Sequence, residues 1–235
     1  MTEADAFPQT PWTLIRRSQD VADPRAITAL DTMARAYWRP LYACVRAMGI
    51  EHTQAEDEVQ RLFEALVSRD SLRAIVPGEV RFRSFLMACL KNTVVSTHRR
   101  EMSLKRGEGL VAESLETNAV QGVSVPMSET APEMAMDRAW AREVFDHAFT
   151  RLEADAHTRG RQTAFIILRP LLRGEAVPEG YADLALRLEV TEGTARKMVF
   201  DLRARLGAMI RQEVTATVAD PADVEDELRY LVSLL

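Results

Sequence analysis

Three cations and one aromatic ring close to residue 200 form the group best suited to binding a polyanion. Arg196, Lys197, Phe200 and Arg203 are spaced so that a helix would present them on one face. Cations on such a helix bind phosphates, and the side chains of its first turns contact base edges in the major groove. The spacing therefore predicts a helix that recognises duplex DNA. The competing interpretation is a basic helix face that is merely solvated.

The neighbouring sequence supplies the elements that would position this face. In YADLALRLEVTEGTARKMVFDLRARLGAMI a short helix precedes a three-residue turn, and Thr191 caps a second helix. The pattern predicts a helix-turn-helix from Gly180 to Leu206. Glu189 occupies a turn position where glycine is common, because that position often needs a left-handed backbone, so we expect slight strain there. The residues predicted to face inward are Leu184, Ala185, Leu188, Ala195, Val199, Leu202, Leu206 and Met209. The residues predicted to contact DNA are Thr191, Thr194, Arg196, Lys197, Phe200 and Arg203.

A second polar group lies on a predicted amphipathic helix in the first half of the chain. Asp57, Gln60 and Glu64 fall at positions i, i+3 and i+7, with Phe63 at the edge of their common face. Taken alone, this pattern favours an ordinary solvent-exposed face.

A third segment, RFRSFLMACLKNTVVSTHRR, is apolar on nearly every side through its middle and ends in basic residues. We expect a mostly buried helix, beginning near Arg81, whose charged end emerges at Arg99 and Arg100.

Composition and charge limit the possible classes of protein. The 235 residues are 47% hydrophobic, 28% charged and 6% aromatic, which is typical of a helix-rich globular protein. The net charge is -5, so binding to DNA must be local or assisted by a partner. Cys44 and Cys89 lie in apolar helical patterns and are expected to be reduced core thiols.

Helical periodicity and its interruptions predict an all-α fold of two small helical domains. A long amphipathic helix spans Ala26 to Met48, and Gly49 ends it. Residues 106–135 lack a sustained period and are typical of a flexible linker. We expect domains at 7–105 and 136–216, this linker between them, and an acidic helical tail at 217–235. The acidic tail could fold back on a basic DNA-binding face or pad the core of the second domain. We expect the second, because the apolar stripe of the tail needs burial.

Several classes of function are disfavoured. The four histidines are scattered, no metal-ligand spacing occurs, and no glycine loop suited to phosphate follows a strand, so we expect neither an enzyme nor a cofactor. No apolar run is long enough for a membrane span, and no signal peptide is visible, so the expected location is the cytoplasm.

The helical segments also form an ordered set. They are ALDTMARAYWRPLYACVRAMGI, QAEDEVQRLFEAL, RFRSFLMACLKNTVVSTHRRE, a linker and ADLALRLEVTEGTARKMVFDLRARL. In this order they resemble an RNA polymerase sigma factor of the extracytoplasmic-function (ECF) group, across nearly the whole chain. The first three segments correspond to sigma region 2 and the last to sigma region 4, while the linker stands in place of region 3. The tail is similar to one found in a branch of that group.

The resemblance implies two partners, core RNA polymerase and promoter DNA. It implies that region 2 binds core polymerase and melts the minus 10 element, and that the helix-turn-helix recognises the minus 35 element. An anti-sigma factor, a kinase or the tail itself are the candidate regulators. The polymerase-binding residues implied are Asp57, Gln60, Phe63 and Glu64. The minus 10 residues implied are Arg81, Arg83, Lys91, Asn92, Arg99 and Arg100. The loop from Arg69 to Val80 would hold a flipped base.

The sequence departs from the family pattern at a few positions. Glu58 stands where the family has an apolar residue, and Arg61 stands where it has an acid. Arg61 is expected to pair with Asp57 at i+4. Ser96 replaces the aspartate of the motif N-x-x-x-D-x-x-R-R.

Two other functions stay open at this point. One is a helix-turn-helix regulator that binds an operator without polymerase and uses its first helices for dimerisation or signal detection. The other is an all-helical interaction protein with no role on DNA, although that class leaves Arg196, Lys197 and Arg203 unexplained.

Overall fold

The computed structural model describes residues 25–68, 82–105, 131–174, 180–218 and 220–235. Within these ranges the chain is helical with connecting turns and has no β-strand, which confirms the predicted all-α class. The helices are α1 (Arg25–Ala47), α2 (His52–Ser68), α3 (Phe82–Lys105), α4 (Ala131–Thr158), α5 (Gln162–Leu172), α6 (Gly180–Arg187), α7 (Glu192–Thr215) and α8 (Val224–Ser233). A short 3-10 turn, Pro221–Asp223, precedes α8.

The described residues divide into two compact units, but the division differs from the predicted domain bounds. The first unit contains the described residues up to Glu143 together with 215–235, and the second unit contains 144–214. Helix α4 begins at Ala131, so the last five residues of the predicted linker 106–135 are helical. Its first half belongs to the first unit because Met136 and Trp140 are buried there. Residues 106–130 lie outside the described ranges.

The tail belongs to the first unit, and the expectation that it pads the second domain is wrong. The physical reason is a charge that the apolar pattern did not reveal. Glu227 on α8 is 1% exposed and pairs with Arg83 of α3, so the buried side of the helix carries a carboxylate as well as Val224 and Leu231.

The core of the first unit follows the predicted periodicity of α1. Met33, Tyr37, Leu41 and Cys44 are buried at steps of three and four residues. The ring of Tyr37 stacks on that of Trp140, with centroids 4.6 Å apart and planes 4° apart. Gly49, with φ of 85°, ends the helix as predicted.

Helix α3 changes character along its length. Phe82, Phe85, Leu86 and Leu90 are buried, whereas residues 91–100 and Met102 are half-buried or exposed. This confirms the predicted buried helix with an emerging basic end.

The core of the second unit is built by the second half of α4 with α5 and α7. Its buried members are Ala148, Phe149, Leu152, Ala156, Phe165, Leu172 and Leu206. Helix α5 continues to Leu172, two residues beyond Pro170. No helix in the described ranges is long and apolar enough to cross a membrane.

Both thiols are free, and we expect them to resist alkylation in the folded protein. Burial raises the pKa of Cys44 to about 12 and that of Cys89 to about 11, and the thiolate is the reactive form. Iodoacetamide at about pH 8 should therefore label neither thiol in buffer and both in denaturant, as measured by intact mass. The variants Cys44→Ala and Cys89→Ala assign any label to its site. Rapid labelling of Cys44 in the native protein would contradict its burial.

Candidate nucleic-acid interface

A tight turn joins the two helices of the helix-turn-helix. The amide of Val190 donates to the carbonyl oxygen of Ala185 at 3.0 Å, and the amide of Glu189 donates to that of Leu186 at 3.1 Å. These two bonds form a Schellman motif, which requires a left-handed residue after the helix. Glu189 is that residue, with φ of 55°. The strained backbone predicted at this position is therefore present.

Helix α7 begins with the cap predicted from the sequence. The amide of Thr194 donates to Oγ1 of Thr191 at 3.2 Å, and the two hydroxyl groups lie 2.8 Å apart. A cap of this kind stabilises a helix by about 1 kcal/mol. Both threonines remain exposed at the start of α7, where free amides and the helix dipole favour an anion.

Buried contacts fix which side of α7 faces outward. Leu168 of α5, Leu184 of α6 and Val199 of α7 form one cluster, with Leu188 and Leu202 packed against it. All residues predicted to face inward are buried or half-buried: Leu184, Ala185, Leu188, Ala195, Val199, Leu202, Leu206 and Met209.

The opposite side of α7 presents the predicted cationic and aromatic face. Arg196, Lys197, Phe200 and Arg203 are all exposed. Phe200 is 71% exposed and so adds apolar surface beside the cations. These four residues are called the α7 face below.

Two cations of the α7 face, Arg196 and Lys197, have local partners that the sequence interpretation missed. Arg196 lies 2.6 Å from Glu192, and its guanidinium carbon lies 4.6 Å from the ring centroid of Tyr181. Lys197 lies 2.9 Å from Asp201. The acids stand four residues from their cations, a spacing that was visible in the sequence.

Arg203 uses a different partner, since it donates to the carbonyl oxygen of Leu171 at 3.1 Å. The ion pairs of Arg196 and Lys197 are exposed, and such pairs contribute only a few tenths of a kcal/mol. A phosphate can therefore replace either carboxylate at small cost.

On the first unit, α2 presents the predicted polar face. Asp57, Gln60 and Glu64 are exposed, and the amide of Gln60 donates to Glu64 at 2.9 Å. Phe63 is half-buried and stacks on Trp38, with centroids 6.2 Å apart. The three polar residues with the edge of Phe63 are called the α2 face below.

Glu58 is buried next to this face, at 5% exposure. It accepts from Arg61 at 2.7 Å and from the hydroxyl of Thr97 on α3 at 3.2 Å. Arg61 thus pairs with Glu58 at i+3, and the predicted pair with Asp57 is wrong. The buried carboxylate is the stronger partner because it lacks solvent to bind.

The second half of α3 presents a mixed exposed stripe. Asn92, Val95, Arg99 and Met102 follow at steps of three and four residues, and all are exposed, Val95 by 47% and Met102 by 42%. Arg100 is exposed beside them. Asn92, Arg99 and Arg100 were predicted for this surface. Val95 and Met102 were missed because their apolar character suggested the core, although their spacing from Asn92 was a usable signal.

Two other cations predicted to contact minus 10 DNA have carboxylate partners in the structure. Arg83 is 8% exposed, and its Nε lies 2.7 Å from Asp137 while its terminal nitrogens bind Glu227. Burial alone would lower the pKa of Arg83, but the two carboxylates outweigh it and raise that pKa. Lys91 pairs with Glu133. Arg83 is therefore buried against two carboxylates in this structure, and its contact with minus 10 DNA stays a prediction. Arg81 and the loop from Arg69 to Val80 lie outside the described residues.

The comparisons with known proteins provide no family assignment. No family model matches the chain, and no curated protein or solved structure is significantly similar to it. In the described ranges no group of three or more histidine, cysteine or carboxylate side chains is placed to hold a metal ion.

Replacing Glu189 tests the strain in the turn. Glu189→Gly should raise the free energy of unfolding of the second unit by about 0.5–1 kcal/mol, because glycine adopts a positive φ without the clash of a Cβ. The measurement is urea unfolding followed by circular dichroism. Glu189→Ala is the matched control, since it removes the same charge and keeps the Cβ. Equal stabilisation by both variants would assign the effect to charge instead of backbone.

Proposed function

We propose that this protein is an RNA polymerase sigma factor of the ECF group. In this proposal the first unit binds core polymerase and helps melt the minus 10 element, and the helix-turn-helix recognises the minus 35 element. The site of action is the cytoplasm, where polymerase and promoter DNA meet.

The observation that carries the proposal is the presence of two exposed faces of opposite chemistry in one chain. The α2 face offers carboxylates and an amide beside a stacked aromatic pair, which suits a basic protein surface. The α7 face offers three cations and an exposed ring on the second helix of a helix-turn-helix, which suits a major groove. A sigma factor needs both kinds of surface, whereas a simple operator-binding protein needs only the second.

Net charge supports dependence on a partner. The chain carries 35 acidic and 30 basic side chains, so its overall field opposes approach to DNA. The acids beside Arg196 and Lys197 weaken the local attraction further. Docking on polymerase raises the effective concentration of the helix-turn-helix at the promoter and compensates for this weak intrinsic attraction.

The α7 face has the groups that base recognition requires. Arg196 and Lys197 lie in the first two turns, which is the part of a recognition helix that contacts base edges. Phe200 projects from the same face and suits apolar contact with the methyl group of thymine. Thr191 and Thr194 sit at the helix start, where phosphate binding positions the helix.

The stripe on α3 suits melted DNA better than duplex DNA. Val95 and Met102 offer apolar surface to unstacked bases, and Asn92 can bond a base edge. Arg99 and Arg100 supply phosphate contacts and stacking surfaces.

Binding to core polymerase tests the proposal directly. We expect the purified chain to co-elute with core RNA polymerase in size-exclusion chromatography and to start transcripts from a selected promoter. The triple variant Asp57→Ala, Gln60→Ala, Glu64→Ala should weaken the complex by at least about tenfold, the loss expected when an interface loses charged contacts. Glu51→Ala, an exposed acid before α2, is the matched control. Absence of any complex for the native chain would reject the sigma-factor proposal.

A second series tests the α7 face with the reconstituted complex. Lys197→Ala and Phe200→Ala should each cost about 1–3 kcal/mol of binding to minus 35 duplex if they contact bases. Asp201→Asn should instead raise affinity about twofold, because it frees Lys197 from its ion pair. The readout is fluorescence anisotropy with labelled duplex. Arg142→Ala, an exposed cation of α4, is the control. Unchanged binding of the duplex by Lys197→Ala and Phe200→Ala would mean that another helix recognises the minus 35 element.

The same experiments distinguish a sigma factor from an operator-binding regulator. An operator-binding regulator would bind duplex DNA without polymerase and would tolerate the α2 triple variant. A sigma factor would lose promoter-specific transcription in that variant while its helix-turn-helix stays folded.

A further inference from the structure

The C-terminal segment, residues 220–235, is a folded part of the first unit. Asp220 accepts a hydrogen bond from the amide of Ala222 at 2.8 Å, and Pro221 begins the 3-10 turn that leads into α8. Val224, Glu227 and Leu231 form the buried side of α8. The helix is therefore seated on the first unit by apolar contacts and by one buried carboxylate.

The contact of this segment with the first unit centres on Arg83. The guanidinium lies between Glu227 of α8 and Asp137 of α4, and binds Glu227 through both terminal nitrogens. Tyr230, also on α8, donates its hydroxyl hydrogen to Asp137 at 2.7 Å, and its ring centroid lies 5.8 Å from the guanidinium. Two side chains of α8 thus act on one cation.

This cation is one of those that the sigma-factor proposal assigns to minus 10 DNA. A two-nitrogen contact to a carboxylate uses the same planar geometry as a contact to a phosphate. Glu227 therefore occupies the position that a DNA phosphate would take on Arg83. Lys91, another cation of the same set, is also held by a carboxylate, that of Glu133 on α4.

Because both charges are buried, Arg83 must either keep Glu227 or receive another anion in its place. The side chain of Glu227 is 1% exposed and that of Arg83 is 9% exposed, so neither charge keeps enough water to compensate for a lost partner. Apolar side chains of similar volume would hold α8 in place at least as firmly. A charged pair differs from such an apolar contact because another anion can take the place of the Glu227 carboxylate.

We propose that α8 is an internal competitor for DNA, which covers Arg83 with Glu227 and leaves when the nontemplate strand supplies a phosphate instead. This rests on the proposed function, since it assumes that the first unit meets melted minus 10 DNA. In the free chain the segment lowers affinity for single-stranded DNA. In the promoter complex α8 is released from Arg83.

The first test measures binding of the full chain to a fluorescein-labelled single-stranded DNA oligonucleotide. Glu227→Gln should raise affinity about three- to tenfold and steepen the salt dependence by about one counterion, the signature of one added phosphate contact. Asp226→Asn is the matched control, because it removes the same charge from an exposed position of α8 and should change affinity less than about twofold. Adding Arg83→Ala to Glu227→Gln should abolish the gain.

A milder variant covers the case in which Glu227→Gln fails to fold. Tyr230→Phe removes the hydrogen bond to Asp137 and leaves no charge unpaired, so it should give a smaller gain in the same direction. Thermal unfolding of each variant separates the outcomes. A lower melting temperature with unchanged oligonucleotide affinity would show that α8 only stabilises the first unit and would overturn the proposal.

Hydrogen exchange of Val224–Ser233 gives the second readout. The amides of α8 should be protected in the free chain and should lose protection in the complex with core polymerase and promoter DNA. Equal protection in both states would overturn the proposal. A chain that gains oligonucleotide affinity through Glu227→Gln but never binds core polymerase would reject the sigma-factor function while leaving the competition by α8 intact.

Discussion

The arrangement of the first unit depends on a buried guanidinium that cannot lose its charge. Arginine stays protonated at any pH the protein meets, so its burial requires anionic partners. Asp137 and Glu227 fill that role from two other segments, and α3, α4 and α8 are thereby tied at one point. The aromatic stack of Tyr37 on Trp140 lies in the same core, and burial raises the pKa of Tyr37 so that its phenol stays neutral. The first unit therefore contains a charged centre among buried aromatic and aliphatic side chains.

In the second unit the two sides of α7 have different roles. One side of α7 packs through Ala195, Val199 and Leu206, which sets the rotation of the helix about its axis. That rotation leaves Phe200 in solvent next to three cations. The Schellman turn at Glu189 and the Thr191 cap fix where the helix begins. A functional surface of this kind is specified by the buried residues opposite it as much as by its own side chains.

Local periodic features were predictable from the sequence, and contacts between distant residues were not. The inner and outer sides of α7, the end of α1 at Gly49 and the unusual backbone of Glu189 all follow from the 3.6-residue repeat and from turn chemistry. The partner of Arg83 lies 144 residues away, and such a contact leaves no periodic trace in a single sequence. For the same reason the tail was assigned to the wrong unit. The start of α4 at Ala131 was missed because the stretch before it contains Gly, Ser, Glu, Thr and Pro without a sustained period, which hid the spacing of Met136 and Trp140.

Glu58 ties together the two helices that carry the exposed surfaces of the first unit. Its carboxylate holds Arg61 beside the α2 face with one oxygen and Thr97 on α3 with the other. Sliding of α2 against α3 would break the bond from Thr97, whereas Arg61 lies on the same helix as Glu58 and would stay paired with it. The helix that carries Gln60 and Glu64 is thereby bonded to the helix that displays Val95 and Arg99. One buried carboxylate thus joins the helix of the acidic surface to the helix of the mixed apolar and basic surface.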